Sequence, residues 1–365
     1  MTNPSGSPAI RYQLSPFLHH GDDRIYAPLT DRTLQRGDAG YDLVVAAREG
    51  AKIATLGPAE WLAVLADEGW LVPVEEEISR RFYLKYVSLE ASSVCNQGCY
   101  FCPVSVARRA DEFMSMELYE RIVEQLAAYR DTLEGVSMIN YNEPTADKRF
   151  LDQVRILKRY GLPPAVSTNG TGLTPERTDA ILEMGGIYYL SVNLSTLDRE
   201  RYKVERGGDH LALVLRNLDH VKDKPFAPRM EMVVLGTGDE RHRRDFAEIQ
   251  ERFRGSRFRV LYYEVMDRAG VMPIGLHPPR RGERLRGCEQ TGSRPLQWVH
   301  VNSAGQCVLC CQDYHHRYVV GDLNHERLDD ILSGERMALL RRWVYGIEEA
   351  PDDFICRGCI YALRR

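Results

Sequence analysis

From Tyr86 onward the apolar positions keep two rhythms in alternation. Short apolar or alternating runs read as strands: Tyr86–Ala91, Val136–Tyr141, Ala165–Thr168, Tyr188–Leu194, Met230–Leu235 and Arg259–Val265. Between them, Met116–Tyr129, Phe150–Tyr160, Pro175–Met184, His210–Val221 and Arg241–Phe253 carry apolar residues at helical spacing, as Leu118, Ile122 and Leu126 do. Ser115 and Thr174 stand at N-cap positions, and Gly161 and Gly185 follow helix ends. Alternating strands and helices predict a parallel sheet with right-handed crossovers, an α/β core. Six units are too few for a closed eight-fold barrel. In barrels of this kind the chemistry sits at the C-terminal ends of the strands.

The flanks differ. Residues 1–9 are polar and rich in Pro, Gly and Ser, which predicts disorder. Residues 1–80 read as a small separate α+β module. Phe17-Leu18 and Ile25-Tyr26 flank the turn signal Gly21-Asp22-Asp23 as a hairpin would. Tyr41–Arg48 and Pro58–Asp67 are predicted helices stopped by Gly50 and Gly69, Trp70-Leu71-Val72 is a closing strand, and Glu75-Glu76-Glu77 is a solvated linker. The core then spans 84–270 and a third region 271–365. That region opens on a bridging loop rich in Arg, Pro and Gly, here read over 266–286. A hairpin follows (Trp298–Val301, turn Asn302–Gly305, Gln306–Cys311), then an amphipathic helix over Leu328–Trp343, with Gly346 and Pro351 leading to the last cysteines.

Composition narrows the class. The 365 residues are 44% hydrophobic and 27% charged, with a net charge of −4, as in an ordinary soluble globular protein with no bias toward nucleic acid or membrane. No secretion signal and no run of 18 apolar residues is present. Nine cysteines in such a chain point to thiolate ligands in a reducing cytoplasm rather than to disulfides. Three lie at 95–102 and six after 287.

The first group is Cys95-Asn-Gln-Gly-Cys99-Tyr-Phe-Cys102-Pro103, with C-x3-C-x2-C spacing. A zinc site takes four protein ligands, or three plus water, whereas an iron–sulfur cube takes cysteine thiolates, usually four. Three thiolates on a cube leave one iron open. This spacing, with aromatic Tyr100-Phe101 before the last cysteine, resembles the radical S-adenosylmethionine (SAM) superfamily. The resemblance implies a [4Fe–4S] cluster on Cys95, Cys99 and Cys102 whose open iron chelates SAM. Electron transfer then cleaves SAM to methionine and a 5′-deoxyadenosyl radical, which takes a substrate hydrogen, and a donor such as flavodoxin or ferredoxin supplies the electron. The cysteine loop follows the first strand directly, at the mouth of what the family builds as an open, partial (βα)6 TIM-like barrel.

The same resemblance assigns further residues. Asn142-Glu143-Pro144, after the second strand, occupies the place of a Gly-Glu-Pro-like motif that receives the SAM amino group, with Asn142 where glycine is common; an ordinary loop is the other reading. Phe101 belongs to the cofactor-binding set. Ser191 and Asn193 share one strand face with Ser195 by period-2 alternation and are implied to touch the SAM ribose or carboxylate, against a reading as polar barrel filling. Arg206, expected in a loop with Gly207, pairs with the SAM carboxylate or is one surface arginine among many. Thr168-Asn169-Gly170 is a structural turn, the Gly236–Gly238 loop approaches adenine in relatives, and Tyr262, Tyr263 and Glu264 line the substrate side or pack in the core.

The second cysteine set resembles the SPASM/twitch extension, a C-terminal cluster-binding module, through Gly305–Asp313, Gly321-Asp322-Leu323 and Cys356-Arg-Gly-Cys359. The implied auxiliary [4Fe–4S] cluster takes Cys288, Cys310, Cys356 and Cys359, with Cys307 as the rival of Cys310. Strand alternation puts Cys307 and Cys311 on one face and Cys310 on the other. A zinc ribbon is the alternative for this half, and His315-His316 are expected at the surface.

The function so implied is a radical SAM oxidoreductase or maturase. The small N-terminal module is similar to a winged-helix-like leader-peptide-binding domain, a cap that only covers the core being the other reading; the resemblance points to modification of a ribosomally made peptide by crosslinking, epimerisation or oxidation. A dehydrogenase acting on a sugar or aminoglycoside-like small molecule is the alternative, and a zinc-binding interaction protein stands outside the class.

Overall fold

The computed structural model describes residues 10–278, 283–290 and 292–364; the segment 1–9 expected to be disordered lies outside them. Its centre is a nine-stranded sheet. Six parallel strands run side by side in chain order: Tyr86–Leu89, Gly135–Ser137, Pro164–Thr168, Tyr189–Asn193, Arg229–Gly236 and Phe258–Glu264. The order is linear, as an open partial barrel requires. Five of the strands lead into crossover helices, Met116–Leu126, Phe150–Arg159, Pro175–Glu183, Leu211–Val221 and Glu240–Arg252, and a loop follows the sixth.

These helices form where expected because their apolar stripes find the sheet. Leu118, Ile122 and Leu126 are buried, as are Val154, Leu157, Leu211, Val214, Leu218 and Ile249. The Ser115 hydroxyl accepts from the Leu118 amide (3.1 Å), and Thr174 does the same for Arg177 (3.4 Å). One barrel helix escaped the sequence reading, Arg199–Arg206, capped by Asp198, whose carboxylate accepts from the Arg201 amide (3.0 Å); so did the short helix Arg294–Gln297 in the C-terminal region. Arg206 is therefore the last residue of a helix, not part of a loop. Only Tyr202 and Arg206 of that helix are buried, so no apolar stripe announces it.

The C-terminal region completes the same sheet. Trp298–Val301 pairs in parallel with the first barrel strand, Trp298 opposite Tyr86 and Val301 opposite Leu89. It forms the expected hairpin with Gln306–Val308, which pairs onward with Val319–Asp322. The hairpin strand ends at Val308, before Cys310. Leu285–Cys288 pairs antiparallel with Ala362–Arg364. The single tail helix expected over 328–343 is two, Leu328–Ser333 and Glu335–Val344, broken at Gly334, whose added Cβ would stand 2.6 Å from the Asp330 carbonyl.

The N-terminal module has its own core of Leu18, Ile25, Ala27, Leu34, Tyr41, Val44, Leu62, Leu65, Trp70 and Leu71. The hairpin His19–His20/Arg24–Ala27 gains a third strand, Arg32–Gln35, and helices Tyr41–Arg48 and Ala59–Asp67 pack beneath. Leu71–Pro73 pairs with Tyr12–Leu14. The module seats against the C-terminal region: Phe17 packs edge-on to Tyr345 at 4.6 Å, His19 Nε2 meets the Tyr345 hydroxyl at 3.0 Å, and Gln297 donates to the Tyr26 hydroxyl (2.7 Å) and the Pro28 carbonyl (2.8 Å). Among the described residues no helix is long and apolar enough to cross a membrane.

Candidate active site

The Cys95–Cys102 loop leaves the first barrel strand and is tied down at each step. Asn96 donates to the Thr171 hydroxyl (2.9 Å) and accepts from the Asn169 amide (2.8 Å), so the turn after the third strand grips it. Gln97 donates to the Tyr202 hydroxyl at 2.9 Å. The Gly98 and Tyr100 amides donate to the Arg206 and Glu205 carbonyls, both at 3.0 Å. The unforeseen helix thus ends as a docking edge for the loop. Gly207 closes it with φ +72°, and a Cβ there would stand 3.4 Å from the Gly98 nitrogen.

Cys99 is buried, while Cys95 and Cys102 are partly so. Burial pushes the Cys95 thiol up to about 12, with Glu143 and the other two thiols adding to the shift, and burial raises Cys102 also. Each thiol must lose its proton to ligate metal, so loading releases protons. Phe101, Val265, Leu235 and Ile274 close an apolar shell around Cys99 and Cys102.

Arg206 is 2% exposed. Its Nη1 lies 3.6 Å from the Cys99 sulfur; its Nη2 donates to Ser195 Oγ at 2.9 Å and to Asn193 Oδ1. Its guanidinium also stacks 4.9 Å over Phe101. Arg206, Asn193 and Phe101 are thus brought together, and Ser195 joins them. Ser191 lies on the same strand, and the hydrogen bonds of that network run through Asn193 and Ser195 instead.

Glu143 is 2% exposed and already engaged. Its Oε1 accepts from the Thr145 amide (3.0 Å), the Thr145 hydroxyl (2.5 Å) and the Thr168 hydroxyl (2.7 Å), and its Oε2 from the Asn169 amide (2.7 Å). Burial still raises its carboxyl. The carboxylate therefore joins the second strand's exit to the third's, with Pro144 opening the short turn behind it. Asn142 Oδ1 holds the Asn140 amide at 3.1 Å. Asn140 Oδ1, by contrast, is buried without a partner at this exit, an acceptor that the sequence reading passed over.

Another pair was also missed. Glu90, fully buried at the end of the first strand, accepts from Arg109 at 2.6 and 3.0 Å and from the Tyr141 amide at 3.0 Å. Arg109 also meets His316 Nε2 at 3.2 Å. His316 is thus half-buried where the C-terminal region meets the barrel, not a surface residue, and burial with Arg109 alongside lowers it to about 4.

In the C-terminal region Cys288, Cys310, Cys356 and Cys359 line one small cavity with Arg294, Leu309 and Tyr361. Cys288 ends a strand opposite Ala362, and Cys356 and Cys359 flank a short 3-10 turn whose carbonyls Arg364 collects, that of Cys359 at 2.6 Å. Cys307 lies elsewhere: wholly buried in the apolar core, with Glu326 and Asp322 as its electrostatic neighbours and no thiol among them. Among the described residues no three His, Cys, Asp or Glu side chains converge as around a single ion. All nine cysteines are free.

Two family models match this chain: the radical SAM superfamily over residues 89–254 and an iron–sulfur cluster-binding domain, SPASM, over residues 288–360. The chain belongs to the radical SAM superfamily. A probable GTP 3′,8-cyclase of Pyrococcus horikoshii is 31% identical over 147 residues, 40% of this chain and 46% of the relative, so the chain spans about half the length of such relatives. An S-adenosyl-L-methionine-dependent 2-deoxy-scyllo-inosamine dehydrogenase of Niallia circulans is 21% identical over 75% of this chain and 91% of its own. Among solved structures, Streptococcus suis SuiB bound to precursor peptide SuiA superposes with a TM-score of 0.55 at 12% identity, covering 97% of this chain and 92% of that one. That likeness is one of fold.

The cofactors of a radical SAM protein with a SPASM domain are a SAM-binding [4Fe–4S] cluster, SAM and an auxiliary cluster. The residues fit them. Three thiols share one braced loop under an apolar shell, four more thiols face one cavity, and the orphaned Asn140 Oδ1 is the acceptor an ammonium asks for.

Proposed function

We propose that this protein is a radical SAM enzyme that modifies a ribosomally made peptide. When bound, the cluster on Cys95, Cys99 and Cys102 and SAM supply the 5′-deoxyadenosyl radical that takes a substrate hydrogen. The chain's own residues hold and shield. Arg206 fixes Asn193 and Ser195 and donates toward the Cys99 sulfur, Asn140 and the carbonyls at the second strand's exit receive the SAM amino group, and Phe101, Leu235 and Val265 keep water from the thiols. Cys288, Cys310, Cys356 and Cys359 hold the auxiliary cluster, and an electron donor of the flavodoxin or ferredoxin kind serves the first.

The observation that carries the peptide reading is the strand Arg32–Gln35. It pairs on one side with Arg24–Ala27, and among the described residues its other edge has no strand partner. Thr33 and Gln35 are exposed and Leu34 is buried, so an extended peptide can add there as a further strand. The fold likeness to SuiB, which is bound to a precursor peptide, extends through this module and supports the same reading. The similarity to the inosamine dehydrogenase favours a second reading, oxidation of a small amino-sugar-like alcohol.

The deciding experiment identifies the genes beside this one and incubates the reconstituted enzyme, SAM and a reductant with any small peptide encoded there, in deuterated buffer. The peptide is expected to lose two hydrogens or gain deuterium, read by mass spectrometry. An unchanged peptide together with turnover of a free amino sugar replaces the peptide reading by the dehydrogenase.

A further inference from the structure

Arg268 and Ala269, in the loop after the sixth barrel strand, both sit in the left-handed region, with φ 51° and 56°. Two consecutive non-glycine residues hold that conformation only where their surroundings impose it, and such sites gather at ligand clamps. Here the surroundings do. The Asp267 amide donates to the Leu276 carbonyl and the Met272 amide to the Asp267 carbonyl, both at 2.8 Å. A Cβ on Gly358 would stand 3.5 Å from the Ala269 carbonyl, so the turn abuts the segment between Cys356 and Cys359.

The turn lays Arg268 between the two thiol groups. Its guanidinium lies 6.0 Å from the Tyr141 ring centre, and its electrostatic neighbours are Tyr141 and Cys102 on the barrel side and Cys311 and Tyr361 on the other. Arg268 makes no side-chain hydrogen bond or ion pair with any described residue, and its Nε is buried without a partner. The contrast with Arg109, bound at two points by Glu90, is direct. Beside it, two further donors are poorly met. Gln312, 3% exposed, offers its amide only to the Met266 sulfur at 3.7 Å, and the Tyr361 hydroxyl points at the same sulfur at 3.6 Å. A thioether is a weak acceptor. A half-buried guanidinium whose Nε is orphaned, with two under-used donors beside it, asks for an acceptor with several lone pairs, and a carboxylate matches the fork in two-point geometry.

We propose that Arg268 receives a carboxylate of the substrate in the space between the two cysteine centres, with Gln312 and Tyr361 completing its hydrogen bonds. The proposal rests on the radical SAM reading and narrows it to a substrate that is acidic at or near the reacting position. The carboxylate is an Asp or Glu side chain or a chain terminus.

The test uses the reconstituted, SAM-loaded full chain and calorimetric titration with three blocked peptides: one bearing a glutamate side chain and an amidated terminus, one of glycines with a free terminal carboxylate, and a neutral glutamine analogue. One acidic probe is expected to bind about tenfold or more tightly than the neutral one. The probe that does so names the source of the carboxylate. Arg268→Gln is expected to bring its affinity to the neutral level, and Arg268→Lys to retain part of the preference. Acidic and neutral probes alike in affinity, or a preference that survives in Arg268→Gln, overturn the proposal. So does an unchanged preference with a displaced cluster midpoint potential, which makes Arg268 a counter-charge to the clusters. Iron content of about eight per chain and 5′-deoxyadenosine release by the unaltered enzyme report separately on the radical SAM reading.

Discussion

The Arg206 guanidinium donates toward the Cys99 sulfur from 3.6 Å while its other arm holds Asn193. One side chain thus links the Cys99 sulfur to the strand face beside it. Hydrogen bonds to cluster sulfurs tune the potential, and partners behind the ligands set function. Arg206→Lys keeps the charge and loses the fork. It is expected to lower 5′-deoxyadenosine formation about 10–100-fold and to move the midpoint potential of this cluster to more negative values, read by EPR-monitored titration.

The three thiols of the loop act as a unit. Cys95→Ala, Cys99→Ala or Cys102→Ala should halve the iron, leaving about four per chain, and abolish 5′-deoxyadenosine formation. Persistent SAM cleavage in any of the three would refute the assignment.

The C-terminal thiols divide differently. Cys310→Ala is expected to lose the auxiliary cluster's iron, because Cys310 faces the shared cavity. Cys307→Ala should retain all of it. Its effect is on packing, a loss of about 1–2 kcal/mol in the unfolding free energy of the apo chain, read by chemical denaturation.

Glu90 and Arg109 form an ion pair in which the carboxylate is wholly buried. Glu90→Gln leaves Arg109 without its counter-charge and is expected to cost about 3 kcal/mol, measured by chemical denaturation.

Acid should loosen the seat of the N-terminal module. Burial, with Arg286 and His20 nearby, lowers His19 from 6.5 to about 4, and His20 shifts likewise. The unfolded chain then binds more protons than the folded one between those values. The stability held above pH 6.5 is therefore lost as the pH falls toward 4. His19→Gln should flatten this part of a melting-temperature profile, and a profile that stays as steep would remove His19 from it.

Much of this was readable before any coordinates. The six barrel strands and five of the crossover helices announce themselves because each buries one stripe or one run, and the C-x3-C-x2-C loop follows from ligand chemistry. What stayed hidden is instructive. Helix Arg199–Arg206 buries only Tyr202 and Arg206, so its periodicity is polar and silent. Strand alternation set Cys310 apart from Cys307, yet the strand ends at Val308, and only the fold shows that Cys307 is buried in the core outside the cavity that Cys288, Cys310, Cys356 and Cys359 line. Glu143 reads as a free carboxylate in sequence, and four donors on three residues, Thr145 in its own turn and Thr168 and Asn169 at the third strand's exit, take it up in space. The pairing of Trp298 with Tyr86 depends on register between distant segments, which local pattern does not encode.

That last pairing has a consequence for biogenesis. The first strand of the barrel is among the earliest core segments to leave a ribosome, and the strand that covers its outer edge is among the last. Until the C-terminal hairpin arrives, a nascent chain presents a bare edge ending in the Cys95–Cys102 loop. The hairpin that covers this edge belongs to the same region as the second set of cysteines, so the edge is closed only once that region has been made.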